Sequence, residues 1–303
     1  MPYGNASVSE RRTLPPAVAV SVVAFALHPP HDAERDETAL SAHPGTAIWV
    51  PLVRRTRAPF LGQWALPGGP TEWDETLADT ALRTLRAAAR RDPGSLEQLY
   101  SFGSVERSAE AQRLVTIAYW ALYGERELAA PALDLGEAET DDGDHGPDPD
   151  LDPTPRRWDD PAPAAQPTQR PPAASREGES GNVRWFSADA LPTLAFDHAE
   201  IVAHALARLR ARTEYAAVAH RFLGAEFTLS QLRTVTEAVR GEAVDPANFR
   251  RQALARGGLV DTGRLATGGA HRPARLYRFS EADESSAASA APLFSPSQTR
   301  SAS

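Results

Sequence analysis

From Glu125 to Gly181 the chain is rich in Pro, Asp, Gly and Ala and has almost no large apolar side chains. Such a stretch cannot bury enough surface to offset its ordering entropy, so it is read as a disordered insertion. It holds fifteen Asp or Glu against five Arg, a net charge of −10. Any core must therefore be assembled from the segments on either side. Beyond it, Ala205 to Ser280 carries thirteen Arg against six Asp or Glu, a net +7. The overall charge of −8 thus conceals a basic C-terminal region and does not exclude a nucleic-acid partner. The 303 residues, 42% hydrophobic, suffice for one large domain or two ordinary ones. The absence of cysteine excludes disulfides and Cys-ligated metal centres and fits a cytoplasmic protein.

Arg11 and Arg12 precede an apolar run, Ala17 to Leu27, which loosely mimics a secretion signal. The run is too short to span a bilayer, and its alternation at Val18, Val20, Val22 and Ala24 suits a buried strand. A second strand is expected over Thr46 to Arg54, then a Gly/Pro loop, Leu61 to Pro70. Leu77, Ala81, Leu85 and Ala88 share one face of a helix expected from Thr76 to Arg91 and closed by Pro93-Gly94. Strands follow near Leu96–Phe102 and Leu114–Tyr123, and order returns at Val183. A helix from His198 to about Arg212 carries Ile201, Ala205, Leu206 and Leu209.

The C-terminal module has the marks of two capped helices and a hairpin. Thr228 and Gln231 form a capping-box pattern ahead of Leu229, Leu232, Val235 and Val239, and Gly241 ends that helix. Asp245-Pro246 starts a second helix, which Gly257-Gly258 stops. On it, Phe249, Ala253 and Leu254 are expected inward, Asn248, Arg251 and Gln252 outward, and Arg250 at the flank. An Asn/Arg/Gln face suits base edges in a major groove, and a flanking Arg suits a phosphate. Leu259-Val260, a turn over Gly263 to Gly269 and Ala274 to Phe279 then make a wing bearing Arg264, His271, Arg272, Arg275 and Arg278. The expected DNA-binding residues are Asn248, Arg250, Arg251, Gln252, Arg264, Arg272 and Arg275.

Gly69, Glu75, Arg83 and Leu85 fall at the spacing of the Nudix box, and the lead-in Trp64-Ala65-Leu66-Pro67-Gly68-Gly69 is also similar to that family. Leu96 to Gly103, Val115 to Tyr119, Leu194 to Ile201, Asn248 to Arg251 and Arg272 to Phe279 resemble Nudix-related transcriptional regulators of NAD metabolism. The resemblance covers about 17–124 and 183–280. It implies an α+β chain, a Nudix α/β/α sandwich followed by a winged helix-turn-helix. The expected layout is a tail, 1–15; a sensor domain, 16–212, interrupted by 125–181; a winged helix, 213–280; and a tail, 281–303.

The departures bear on function. Where the box has three metal-holding glutamates, this chain has Thr84, Ala87 and Ala88. Hard divalent cations need oxygen ligands, usually carboxylates, so hydrolysis is expected to be negligible, with no catalytic or metal-binding residue and no cofactor. The resemblance implies ADP-ribose or an NAD-type nucleotide as effector. Arg54, Arg55 and Arg113 are candidates for its phosphates, and Phe60, Trp64, Tyr100 and Phe102 for stacking on its base. Residues 104–113 depart from the family's loop, which puts the effector's identity in question. The expected protein is a homodimeric repressor of NAD biosynthesis or salvage genes, bound to double-stranded operator DNA and not to membrane. The alternatives are a Nudix hydrolase acting on ADP-ribose or a related nucleotide, and an adaptor whose acidic insertion recruits a protein.

Overall fold

The computed structural model describes residues 16–36, 47–56, 60–104, 113–134, 182–213, 219–266 and 273–280. Its central strand is β1 (Ala17–Ala26), the run that mimics a secretion signal. It pairs in parallel with β6 (Leu114–Tyr123) along all ten residues. Its other edge is shared by β4 (Gly68–Pro70) and β2 (Trp49–Arg54). Val20, Val22, Ala24 and Ala26 face one apolar cluster, and Val23 and Phe25 the other. Burial on both faces explains the nearly unbroken apolar run. The short strand β3 (Trp64–Ala65) and β7 (Val183–Ser187) both pair with β2, and β5 (Ser95–Phe102) closes the far edge beside β6. A Cβ on Gly68 would overlap the Val20 carbonyl oxygen, so only glycine lets β4 approach β1 this closely.

Helix α1 (Leu77–Ala89) covers one face through Ala81, Leu82, Leu85 and Ala89. Thr76 caps it, accepting from the Asp79 N–H, while Asp79 accepts from the Thr76 N–H. It stops earlier than the sequence suggests. Arg90 takes a left-handed conformation (φ 52°) and its N–H bonds to Arg86, so Pro93-Gly94 lies beyond the stop. The stretch expected to be disordered, 125–181, has structure at its start. Glu125–Ala129 forms a short helix, α2, with Leu128 buried in the α1 cluster. The Leu133 N–H then bonds to the Arg90 carbonyl. One buried leucine and one backbone hydrogen bond hold this segment, which the average composition conceals. Residues 135–181 lie outside the described residues.

Helix α3 (His198–Thr213) covers the opposite face with Ile201, Val202, Ala205 and Leu209. A short helix α4 (Ala219–Phe222) leads into the C-terminal module: β8 (Phe227–Thr228), α5 (Leu229–Arg240), α6 (Pro246–Ala255), β9 (Leu259–Leu265) and β10 (Arg275–Phe279). The three strands form a sheet in the order β8-β10-β9. The two-residue β8 is too short to carry a period and was not expected. Strand β9 runs through Gly263, placed in a turn by sequence, to Leu265. Gly263 is left-handed (φ 72°) and its N–H bonds to Asp261, with a register shift opposite on β10. This local irregularity accommodates the glycine inside the strand. One apolar cluster runs from the α3 face of the large sheet into the C-terminal module, so the two parts share a core.

Candidate functional site

The Nudix-like corner is held by Glu75. Its carboxylate accepts from Arg83 at Nε (2.5 Å) and Nη2 (2.9 Å) and from the Thr80 hydroxyl (2.9 Å). The Arg83 hydrogen bond holds the Glu75 carboxyl below its ordinary pKa, against an opposing push from burial. Arg83 also reaches Glu72 (3.5 Å) and the Pro70 carbonyl (3.3 Å), which ties the loop to the helix. The Thr84 hydroxyl is buried and donates back to the Ala81 carbonyl (3.1 Å). Ala87 and Ala88 offer no donor atoms. These residues do not fit the divalent cation of a Nudix centre. Among the described residues no three His, Cys, Asp or Glu converge as metal ligands. A cavity of about 400 Å³ opens beside this helix, lined by Glu75, Asp79, Leu82, Arg83, Arg86 and Ala87. Trp73, fully exposed on the preceding loop, was not singled out from sequence.

The seven candidate effector residues fall in two places. Arg54, Arg55, Phe60 and Trp64 belong to the β2–β3 hairpin. Arg54 is exposed and donates to the Gly62 carbonyl (3.1 Å). Arg55 is buried, with its guanidinium 4.7 Å above the Phe196 ring, and burial pulls its pKa down. Phe60 is left-handed (φ 64°), 41% exposed and edge-on to the same Phe196. Trp64 is half-buried and meets Phe186 edge-on (4.9 Å). Tyr100 and Phe102 lie on β5, three strand spacings or roughly 14 Å from β2. Tyr100 stacks on His204 (5.2 Å), and Phe102 meets that ring edge-on. Arg113, before β6, donates to the Gly103 carbonyl (2.5 Å). Phe196, His198 and His204, which the structure sets against these candidates and the Leu66 backbone, were not among the site residues read from the sequence. The His198 Nδ1 accepts the Leu66 N–H (2.9 Å) across 132 residues, a contact no local pattern reveals.

In the C-terminal module the local signals are realised. Thr228 and Gln231 cap α5 reciprocally, and Gly241 ends it in the left-handed region (φ 72°). Glu237, buried in α5, accepts from Arg233 and from the Val244 N–H, both at 2.9 Å, and so pins the turn into α6. That clamp was not foreseen. Asp245 accepts the Asn248 N–H (2.8 Å) at the start of α6. No residue of α6 is fully buried. Phe249 and Ala253 pack on the core, but Leu254 is 43% exposed, contrary to expectation. At 100° per residue it stands 140° around the helix from Phe249, so it cannot share that face. Arg250, Arg251 and Gln252 are exposed and Asn248 is half-buried.

On the wing, Arg264 pairs with Glu226 (2.7 Å) and Arg275 with Asp261 (2.6 Å). Asp261 is held below the usual carboxylate range, first by the Gly263 N–H and then by Arg275. Tyr277 and Phe279 point inward from β10 while Arg275 and Arg278 point outward. Arg272 and His271 lie outside the described residues.

A Nudix-type sandwich carrying a winged-helix DNA-binding domain is the class these two parts define. Residues 219–279 match the model of the NrtR DNA-binding winged helix domain. Over 240 residues the chain is 26% identical to the ADPR responsive transcriptional repressor NtrR of Acinetobacter baylyi, spanning 78% of this chain and 77% of that one. The crystal structure of Shewanella oneidensis NrtR complexed with a 27mer DNA superposes with a TM-score of 0.55 and 27% identity, covering 88% of this chain and 95% of that one. A MutT/nudix family protein from Enterococcus faecalis, 22% identical with a TM-score of 0.53 over 92% of this chain and 96% of its own, shares the fold. The resemblance to Nudix-related regulators read from the sequence therefore holds. No described helix is long and apolar enough to cross a membrane.

Proposed function

We propose that this chain is a cytoplasmic, homodimeric repressor of NAD biosynthesis or salvage genes. Its winged helix binds operator DNA, and its Nudix fold serves as a receptor for ADP-ribose or an NAD-type nucleotide. The observation that carries this reading is the pairing in one chain of a projecting, carboxylate-free helix, α6, with a Nudix helix bearing Thr84, Ala87 and Ala88. The first is suited to a groove of DNA. The second lacks the oxygens that metal-assisted hydrolysis needs.

The nucleotide would lie between the β2–β3 hairpin and β5. Arg54, with the buried Arg55 behind it, would face its diphosphate, and Phe60 and Tyr100, the exposed aromatics among the candidates, would contact its ends. Trp64, Phe102 and Arg113 would support these walls. On DNA, Asn248, Arg251 and Gln252 would face base edges, and Arg250, Arg264, Arg272 and Arg275 phosphates. Helix α3 is the natural transmitter, because it packs on the sensor sheet while Arg210 donates to the Val239 carbonyl of α5 (3.1 Å). Two-fold symmetry would match two half-sites.

The test is a gel shift on the DNA upstream of the gene, at stated salt, with ADP-ribose, NAD or buffer alone. A shifted band that one nucleotide selectively changes is the expected result. AMP release from ADP-ribose with Mg²⁺ or Mn²⁺, measured in parallel, should stay at background. Efficient turnover without any shift would overturn the proposal.

A further inference from the structure

The outward face of α6 carries a small network that fixes what it can read. Asn248 Oδ1 accepts from Arg251 Nη2 (2.8 Å) and from Gln252 Nε2 (3.2 Å). A guanidinium only donates, so the atom of Asn248 facing Arg251 must be the amide oxygen. Two donors occupy that oxygen, and the Asn248 amino group is left to face away from them. Arg251 keeps its other N–H groups, and Gln252 keeps its own carbonyl oxygen. The helix has no carboxylate that could accept from a base. The face is therefore rich in donors, with a single acceptor at Gln252.

The four base pairs differ in what they present to such a face. Guanine offers two adjacent acceptors, N7 and O6, in the major groove; adenine places an amino donor beside N7, and thymine a methyl beside O4. A guanidinium held on one side by Asn248 has the fork geometry for the guanine pair. The Gln252 oxygen can accept from the amino group of the opposing cytosine. Because the Arg251 rotamer is already restrained, less freedom is lost on contact. We propose that α6 reads guanine, with Arg251 as the base-contacting residue and Asn248 as the residue that positions it. This rests on the DNA-binding function proposed above. Arg250, one step round the helix, contacts a phosphate instead.

The test is selection of duplexes from a randomised pool by the full chain, compared with Arg251→Ala, Asn248→Ala, Asn248→Asp and Arg250→Ala. The wild type should enrich one guanine per half-site. Replacing that guanine by 7-deazaguanine should weaken binding, and replacing it by inosine, which keeps N7 and O6, should not. Arg251→Ala should lower the guanine preference by roughly 5- to 150-fold. Asn248→Ala should lower it in part, and Asn248→Asp, which keeps the acceptor oxygen, should restore the preference if not the affinity. Arg250→Ala should weaken all sequences alike. Enriched duplexes indifferent to 7-deazaguanine, or an unchanged preference in Arg251→Ala, would overturn the inference and leave DNA binding intact. Failure to retain any duplex at low salt would instead overturn the DNA-binding function itself.

Discussion

Replacing Gly124 by alanine should loosen the joint between the sensor sheet and the C-terminal module. Gly124 follows β6, and its backbone (φ −87°, ψ 177°) is one that alanine adopts without strain. The obstacle is steric. A Cβ built there falls inside 3.0 Å of the Arg221 carbonyl oxygen on α4, which is backbone and cannot swing aside. Moving α4 off to an ordinary contact distance needs a shift of about 1 Å. The Arg221–Glu97 ion pair, already at 3.6 Å with both side chains at most 15% exposed, would open with it. Overpacking of this kind costs about 1–3 kcal/mol. At about 2–4 °C per kcal/mol for a chain of this size, Tm should fall by roughly 2–12 °C. Fluorescence anisotropy with labelled operator should show DNA affinity near wild type and a weaker nucleotide effect, because the joint and not either site is altered. An unchanged Tm together with an unchanged nucleotide effect would refute the steric argument and the role of the joint.

Three other perturbations test separate parts. Glu75→Gln removes the acceptor that holds Arg83; the folded carboxyl pKa is lowered, so its contribution is present above the usual glutamate value, about 4.3, and is lost as pH falls through the folded pKa. The wild-type Tm should therefore exceed the variant's at pH 7 and converge toward it in acid, and a constant gap down to pH 3 would contradict the assignment. Asp245→Ala deletes the cap of α6 and should cost about 1 kcal/mol in urea unfolding while weakening DNA binding of every sequence. Glu226→Gln with Asp261→Asn frees Arg264 and Arg275, so DNA affinity should rise and the log–log salt slope steepen by up to about 0.9 for each new phosphate contact. A shallower slope would mean that these carboxylates position the arginines for phosphate.

Much of the C-terminal module was legible because its signals are local. Thr228 with Gln231 and Asp245 with Asn248 lie three residues apart, and their hydrogen bonds close within one turn. Strand β1 was legible because burial on both faces demands an unbroken apolar run. The surroundings of the proposed effector residues were less legible. Arg55 and Trp64 look equally available in sequence, yet one lies buried over Phe196 and the other turns against Phe186. Leu254 misled because hydrophobicity was given more weight than its angle on the helix.

The order of residues by itself determined the longer helices and strands, where α5 and α6 begin, and that no carboxylate cluster stands on α1, since each depends on neighbours within a few positions. Tertiary structure decided which arginines are held by carboxylates, which aromatics remain exposed, and that the sensor and the DNA reader share one core. Those outcomes depend on groups brought together across tens of residues, such as Arg264 with Glu226 or Leu66 with His198. Their proximity comes from chain packing and leaves no periodic trace in the sequence.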